Sequence, residues 1–492
     1  MFVSREREQT VLSCREQREY YGAIAAKAEN RERIAAAERE LRERAAAAGF
    51  CWVVLDDDPT GVQTIHDLPV YTEWSADTLR RAFSERLPMF YVLTNSRGLT
   101  ETETTALHRE LVENLCTAAE ETGTAFQIIS RSDSTLRGHF PLETELIGAG
   151  LEERLGTSQD GIILAPFFLA GGRITIGNVH YVLRGDELIP AAQTEFARDV
   201  SFGYSHSFLP DYVEEKTGGK VPAQEVLSIP LELLRRGDAD GAEERLLHAR
   251  DGRVIVVNAL ELSDLRVFAA ALYRCIAKGR HFLCRTAADF VRAVGAVPDI
   301  PLLTAKEMCA ESPSGHGGVI VAGSHTEKTT RQLERLRGLP GLDFIEFDSD
   351  LVVSGGLAEE AARVRILAES DVKRGITPVV YTKRKRLELP GDTAERALRR
   401  SVSISEALVS VIGEMEETPA YVIAKGGITS SDVGTKALRV KRAWVLGQVQ
   451  PGIPVWRCGG ESRFPGIPYV IFPGNVGEED SLCRVVETLS AR

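Results

Sequence analysis

From Cys51 onward the chain repeats one pattern: a short apolar run, a polar loop, then a stretch with helical periodicity. The runs are Trp52-Val53-Val54-Leu55, Phe90-Tyr91-Val92-Leu93, Phe126-Gln127-Ile128-Ile129 and Gly161-Ile162-Ile163-Leu164, and segments such as 102–122 between them read as helices. Apolar runs separated by helices predict a largely parallel sheet wrapped by helices, because parallel strands need a crossover connection and bury both faces. In such sheets the loops after the strand carboxyl ends line the ligand crevice. The informative polar residues are therefore those that directly follow each run.

Val254-Ile255-Val256-Val257 and the helical stretch 263–277 extend this first unit. Pro298, Pro301 and the cluster from Ser312 to Gly318 then read as a linker. A second α/β unit begins at Val319-Ile320-Val321-Ala322 and continues through Phe344-Ile345-Glu346-Phe347, Val379-Val380-Tyr381 and Tyr421-Val422-Ile423. A chain of 492 residues, 43% apolar, exceeds the size at which one core stops growing. The expected class is α/β with two domains, each a largely parallel sheet flanked by helices. The expected boundaries are a helical extension over 1–50, a first domain over 51–300, a linker over 301–317 and a second domain over 318–492.

Residues 15–48 are dense in Glu, Arg and Ala, which predicts one or two exposed helices. Their apolar positions are too sparse for a long coiled coil, although packing on a partner subunit in a homo-oligomer stays open. The net charge of -12 argues against a sequence-independent grip on nucleic acid, which rewards clustered Lys and Arg. The start, Met1 to Glu8, is charged and lacks the apolar core of a signal peptide, and nowhere do 18 apolar residues run together. A cytoplasmic protein without a membrane partner is expected. Eight cysteines with no CxxC pair indicate neither a zinc site nor a disulfide framework.

The loops after the first four runs carry acids and guanidinium forks. Asp57 and Asp58 precede Pro59-Thr60-Gly61, a turn from which carboxylates can hold Mg²⁺ or accept a proton from an attacking hydroxyl. Asn95-Ser96-Arg97 follows the second run, Asp133, Ser134 and Arg137 follow the third, and Gly171-Gly172-Arg173 comes after the fourth. Arginine grips a carboxylate by two parallel hydrogen bonds, so these loops suit a small anionic ligand. In the second unit, Gly323-Ser324-His325 joins a run to a helix. Lys425-Gly426-Gly427-Ile428-Thr429 repeats that arrangement with two glycines, and Gly474-Asn475 supplies a third turn. Such turns present N–H groups to phosphate, although the GxxxxGK[ST] spacing is absent. The basic run from Lys383 to Arg386 reads as a solvated face. Carboxylates, forks and phosphate cradles together suit phosphoryl transfer onto a small acidic substrate.

The motifs DDPTG (57–61), NSR (95–97), DSTLRG (133–138), GGRITIGNVHYV (171–182), GSH (323–325), KGGITSSD (425–432) and PGNVG (473–477) resemble, in order, those of the four-carbon acid sugar kinase family. The resemblance implies an amino-terminal sugar-acid domain, a carboxy-terminal ATP domain, and ATP-dependent phosphorylation of tetronate-like acids such as threonate, erythronate or their 3-oxo forms. It places Asp57 and Asp58 beside the reacting hydroxyl, with Asp58 the first choice of base. Asn95, Arg97, Asp133, Ser134, Arg137 and Arg173 would hold the sugar acid. ATP would fall to Gly323, Ser324, His325, Lys425, Gly426, Gly427, Ile428, Thr429, Gly474 and Asn475, with Mg²⁺ on ligands the sequence does not single out. Pro59 stands where Leu is more usual, and Ser130-Arg131-Ser132 where a Lys often precedes DSTLRG. These departures keep open a branched or oxidised acid such as 3-oxo-isoapionate. A sugar-acid-binding regulator without turnover is the alternative from another class.

Overall fold

An all-parallel sheet forms the centre of the first unit, with strands in the order Leu227–Ile229, Arg253–Val257, Gly161–Ala165, Phe282–Thr286, Ala125–Arg131, Phe50–Asp56 and Met89–Leu93. Its inner strands are buried almost end to end, as in Phe50–Asp56, because helices cover both faces. Helix Glu101–Thr122 begins with a reciprocal cap, in which Glu103 N donates to Thr100 Oγ1 at 3.3 Å and Thr100 N donates to Glu103 Oε2 at 2.9 Å. Trp52 is fully buried and donates from Nε1 to Tyr273 Oη at 2.9 Å. Each such apolar side chain withdrawn from water contributes about 2 kcal/mol.

The structure, a computed structural model, describes residues 10–491 apart from 386, 388, 390, 391, 393 and 475. Asn475, Arg386 and the charged start Met1 to Glu8 lie outside the described residues. No helix among the described residues is long and apolar enough to cross a membrane.

The Glu/Arg/Ala segment forms helices Cys14–Ala25 and Ala28–Ala46. They are not merely an exposed extension. Tyr21, Ala37 and Leu41 are buried, and Arg274 Nε donates to Glu40 at 2.7 Å. Leu12–Ser13 pairs with Glu187–Pro190 at the edge of a small antiparallel sheet that also holds Val179–Arg184 and Arg173–Ile176. The segment thus belongs to the first unit.

The second unit carries a mixed sheet in the order Leu68–Tyr71, Arg442–Gln450, Ile453–Cys458, Pro468–Phe472, Val422–Lys425, Val319–Ala322, Thr377–Thr382 and Leu342–Phe347. The first three pairings are antiparallel and the rest parallel. Its first strand corrects the expected boundaries. Residues 62–72, placed by sequence in the first domain, pack with 299–492. The reason is register: Arg442 to Val445 pair with Tyr71 to Leu68, and Asp67 N donates to Val445 O at 2.7 Å. The stretch 301–317 carries helix Ala305–Met308, and Leu303 and Met308 are buried in the second unit's core.

Candidate active site

The first unit's loops meet at the carboxyl ends of its strands because main-chain bonds tie each loop to the next. Thr94 N donates to Asp56 O at 2.8 Å, Asp57 N to Arg131 O at 3.2 Å, and Ser132 N to Thr286 O at 2.8 Å. Asp57, Asp58, Arg97, Asp133 and Arg137, far apart in sequence, therefore form one constellation. Arg97 Nε donates to Asp57 Oδ2 at 3.1 Å, its Nη1 donates to Asp58 Oδ2 at 3.3 Å, and Nη1 lies 3.9 Å from Asp133 Oδ1. Arg137 Nε donates to Asp133 Oδ2 at 2.7 Å.

These partners divide the carboxylates by charge state. Burial pushes the Asp58 carboxyl up, but the Arg97 guanidinium and the Thr60 hydrogen bonds outweigh it and hold it below its ordinary value. Burial likewise opposes Asp133, and Arg97 with Arg137 keeps it well below the usual carboxylate range. Asp56 goes the other way: burial raises it to about 7 although Arg131 opposes the shift. Asp57 is 3% exposed at its side chain and Asp58 22%, so Asp58 is the carboxylate that a ligand can reach.

Several members of this constellation were not singled out from sequence. Arg131 Nη1 donates to Asp56 Oδ1 at 3.0 Å and sits 3.6 Å from Asp57 Oδ1, while Ser132 Oγ donates to Asp57 Oδ2 at 2.8 Å. A Cβ on Gly61 would fall 2.0 Å from Asp56 Oδ2, so the turn after DDP closes only with glycine there. Arg285 reaches the site from strand Phe282–Thr286, donating from Nη2 to Arg137 O at 3.0 Å. The apolar triplet Phe282-Leu283-Cys284 followed by Arg285-Thr286 was its legible signal.

The remaining candidates of this unit take supporting positions. Asn95 adopts a left-handed conformation with φ 52°. Ser134 is buried, and its carbonyl accepts from His180 Nε2 at 2.7 Å. Arg173 lies 5.3 Å from the Phe196 ring centre, which Arg137 approaches at 5.2 Å, and burial lowers its guanidinium from the ordinary value.

In the second unit the glycine turns converge. A Cβ on Gly323 would lie 2.5 Å from Thr429 Oγ1, one on Gly426 3.2 Å from Ser324 Cβ, and one on Gly474 3.9 Å from Ser324 Oγ. Gly426 also holds φ 123°, a conformation closed to other residues. Ser324, Gly426, Thr429 and Gly474 thus form a cradle of small groups that a side chain would fill. That shape fits phosphate held by backbone N–H groups. His325, Gly427 and Ile428 are exposed at its margin.

Two expectations change here. Lys425 is fully buried, and its Nζ donates to Pro473 O at 2.7 Å and Gly474 O at 3.3 Å above the Phe472 ring. It holds the glycine turn in place rather than presenting its charge outward. Burial, reinforced by Lys328, lowers its ammonium to about 7, against the carbonyls and ring that favour the charged form. The basic run is not simply a solvated face either. Lys383 Nζ pairs with Asp348 and Asp350, and Arg384 Nη2 donates to Ser324 O at 2.5 Å beside the cradle. Among the described residues no group of three or more His, Cys, Asp or Glu side chains could hold a metal ion.

Two family models match in succession, a sugar-binding N-terminal domain over residues 52–294 and a nucleotide-binding C-terminal domain over 319–482. By these matches the chain joins a domain of the sugar-binding N-terminal type to one of the nucleotide-binding C-terminal type. The chain belongs to the four-carbon acid sugar kinase family. It is 24% identical over 410 residues to the D-threonate kinase of Salmonella typhimurium, an alignment spanning 81% of this chain and 88% of that one. Two solved structures share the fold. A Salmonella typhimurium LT2 protein matches at TM-score 0.63 and 16% identity, covering 88% of this chain and 98% of its own. A Haemophilus influenzae protein matches at TM-score 0.59 and 17% identity, covering 89% of this chain and 100% of its own.

Proposed function

We propose that the chain is an ATP-dependent kinase that phosphorylates the terminal hydroxyl of a four-carbon, tetronate-like sugar acid. The observation that carries this reading is the Asp58–Arg97–Asp133–Arg137 constellation at the carboxyl ends of the first unit's strands. Guanidinium groups there can pair with the substrate carboxylate and fix its orientation. Asp58 is ionised and partly accessible, so it can accept the hydroxyl proton as the bond to phosphorus forms. Asp57, buried under Arg97, Arg131 and Ser132, keeps that turn in register.

ATP belongs to the second unit in this reading. The Ser324, Gly426, Thr429 and Gly474 cradle would hold its phosphates, and Arg384 beside Ser324 adds positive charge. Mg²⁺, when bound, would supply charge neutralisation on the phosphates, keeping several waters and few protein ligands. All eight cysteines are free, as a reducing cytoplasm keeps them.

The deciding measurement is coupled ADP formation with ATP, Mg²⁺ and a panel of four- and five-carbon sugar acids. Acid-dependent ADP release that is strongest with an unbranched four-carbon acid is expected. Binding of acid without any ADP release would instead make the chain a sensor.

A further inference from the structure

Beside the Asp58–Arg137 constellation the first unit encloses a small cavity lined by Asp133, Leu136, Leu164, Pro166, Tyr212, Arg285 and Thr286, with space for about one water-sized group. Arg285 is 4% exposed, and its Nε is buried with no hydrogen-bond partner among the described residues. Native structures leave few such donors unpaired, because each costs the desolvation of a polar group. Asp133 places an acceptor on the same cavity. The Thr286 hydroxyl, buried and also without a partner among the described residues, adds a third polar group; Leu136, Leu164 and Pro166 contribute hydrocarbon, and the Tyr212 hydroxyl already donates to Leu136 O at 2.9 Å. A group that accepts from Arg285 and donates to Asp133 in so small a space is a water molecule or, in its place, a ligand hydroxyl.

Resting on the sugar-acid kinase reading above, we infer that this cavity is a specificity subsite: it takes one hydroxyl of the acid between Arg285 and Asp133, and its apolar wall excludes a carbon branch there. A substrate lacking that hydroxyl leaves the Arg285 Nε–H buried and unpaired. Sites of that kind reject a missing hydroxyl far more strongly than an apolar pocket rejects a missing methylene.

The test is steady-state ADP formation by the full-length wild type, Arg285→Lys and Leu164→Ala. Each receives hydroxylated four-carbon acids, their monodeoxy analogues and hydroxymethyl-branched acids, with melting temperatures to establish folding. Removal of one particular hydroxyl should cost the wild type about 10³-fold or more in kcat/KM, and Arg285→Lys should narrow that ratio to about tenfold or less. Leu164→Ala should raise kcat/KM for a branched acid at least about tenfold, and it carries the test alone if Arg285→Lys does not fold. Equal losses on hydroxylated and deoxy acids in folded Arg285→Lys, or no gain on any branched acid in Leu164→Ala, overturn the subsite and leave the kinase reading intact. A folded wild type that releases no ADP with any acid overturns both.

Discussion

Arg97 serves three carboxylates at once, so its removal leaves Asp57, Asp58 and Asp133 to repel one another. Breaking one side of such a largely buried pair costs about 3–5 kcal/mol. Arg97→Gln should lower stability by that order in chemical denaturation. In whatever activity remains, the acid limb of kcat/KM should move to higher pH, because the guanidinium that holds Asp58 low is gone. Asp58→Asn should reduce kcat by about 10²-fold or more while ATP binding, measured calorimetrically, is unchanged. Lys425 yields a pH prediction for stability. Its folded value near 7 lies below the unfolded value, so the native state binds fewer protons between about 7 and about 10.5. The stability of wild type relative to Lys425→Met should therefore rise between pH 7 and pH 9.5, and denaturant midpoints at the two pH values would show it.

At the level of elements, the turns are more constrained than the helices and strands that carry them. Gly61→Ala would drive a methyl group into the Asp56 carboxylate, and Gly426→Ala would force alanine to φ 123°. Each should cost about 1–3 kcal/mol, with Gly426→Ala also weakening nucleotide binding in titration calorimetry. The parallel strands and their following loops were legible because the strands are apolar on both faces and end abruptly in polar residues. What sequence could not convey was direction. Lys425 has the composition of a phosphate ligand yet turns inward under the 473–474 turn, and Arg384 reads as a surface charge yet reaches Ser324. Asp56 and Arg131 find each other across neighbouring strands 75 residues apart, a pairing that no local spacing encodes.

On the scale of the whole molecule, the chain passes between its two units more than once. It leaves the first after Gly61, returns at Glu73, and leaves again after Pro298. A fragment covering 299–491 would thus lack the strand Leu68–Tyr71 and expose the edge of Arg442–Gln450, a template for pairing between molecules. Such a fragment should self-associate in light scattering, and adding 62–72 back as a peptide or fusion should suppress it.

The same pairing sets a schedule for biosynthesis. Leu68 to Tyr71 emerge from the ribosome early, whereas their partners in Arg442 to Val445 follow about 370 residues later. Until then this apolar ribbon lacks its second-unit partner, so the second unit cannot close before Arg442 to Val445 have been made. Chaperone demand should accordingly peak late in translation, and a ribosomal stall before Arg442 would strand a half-made sheet.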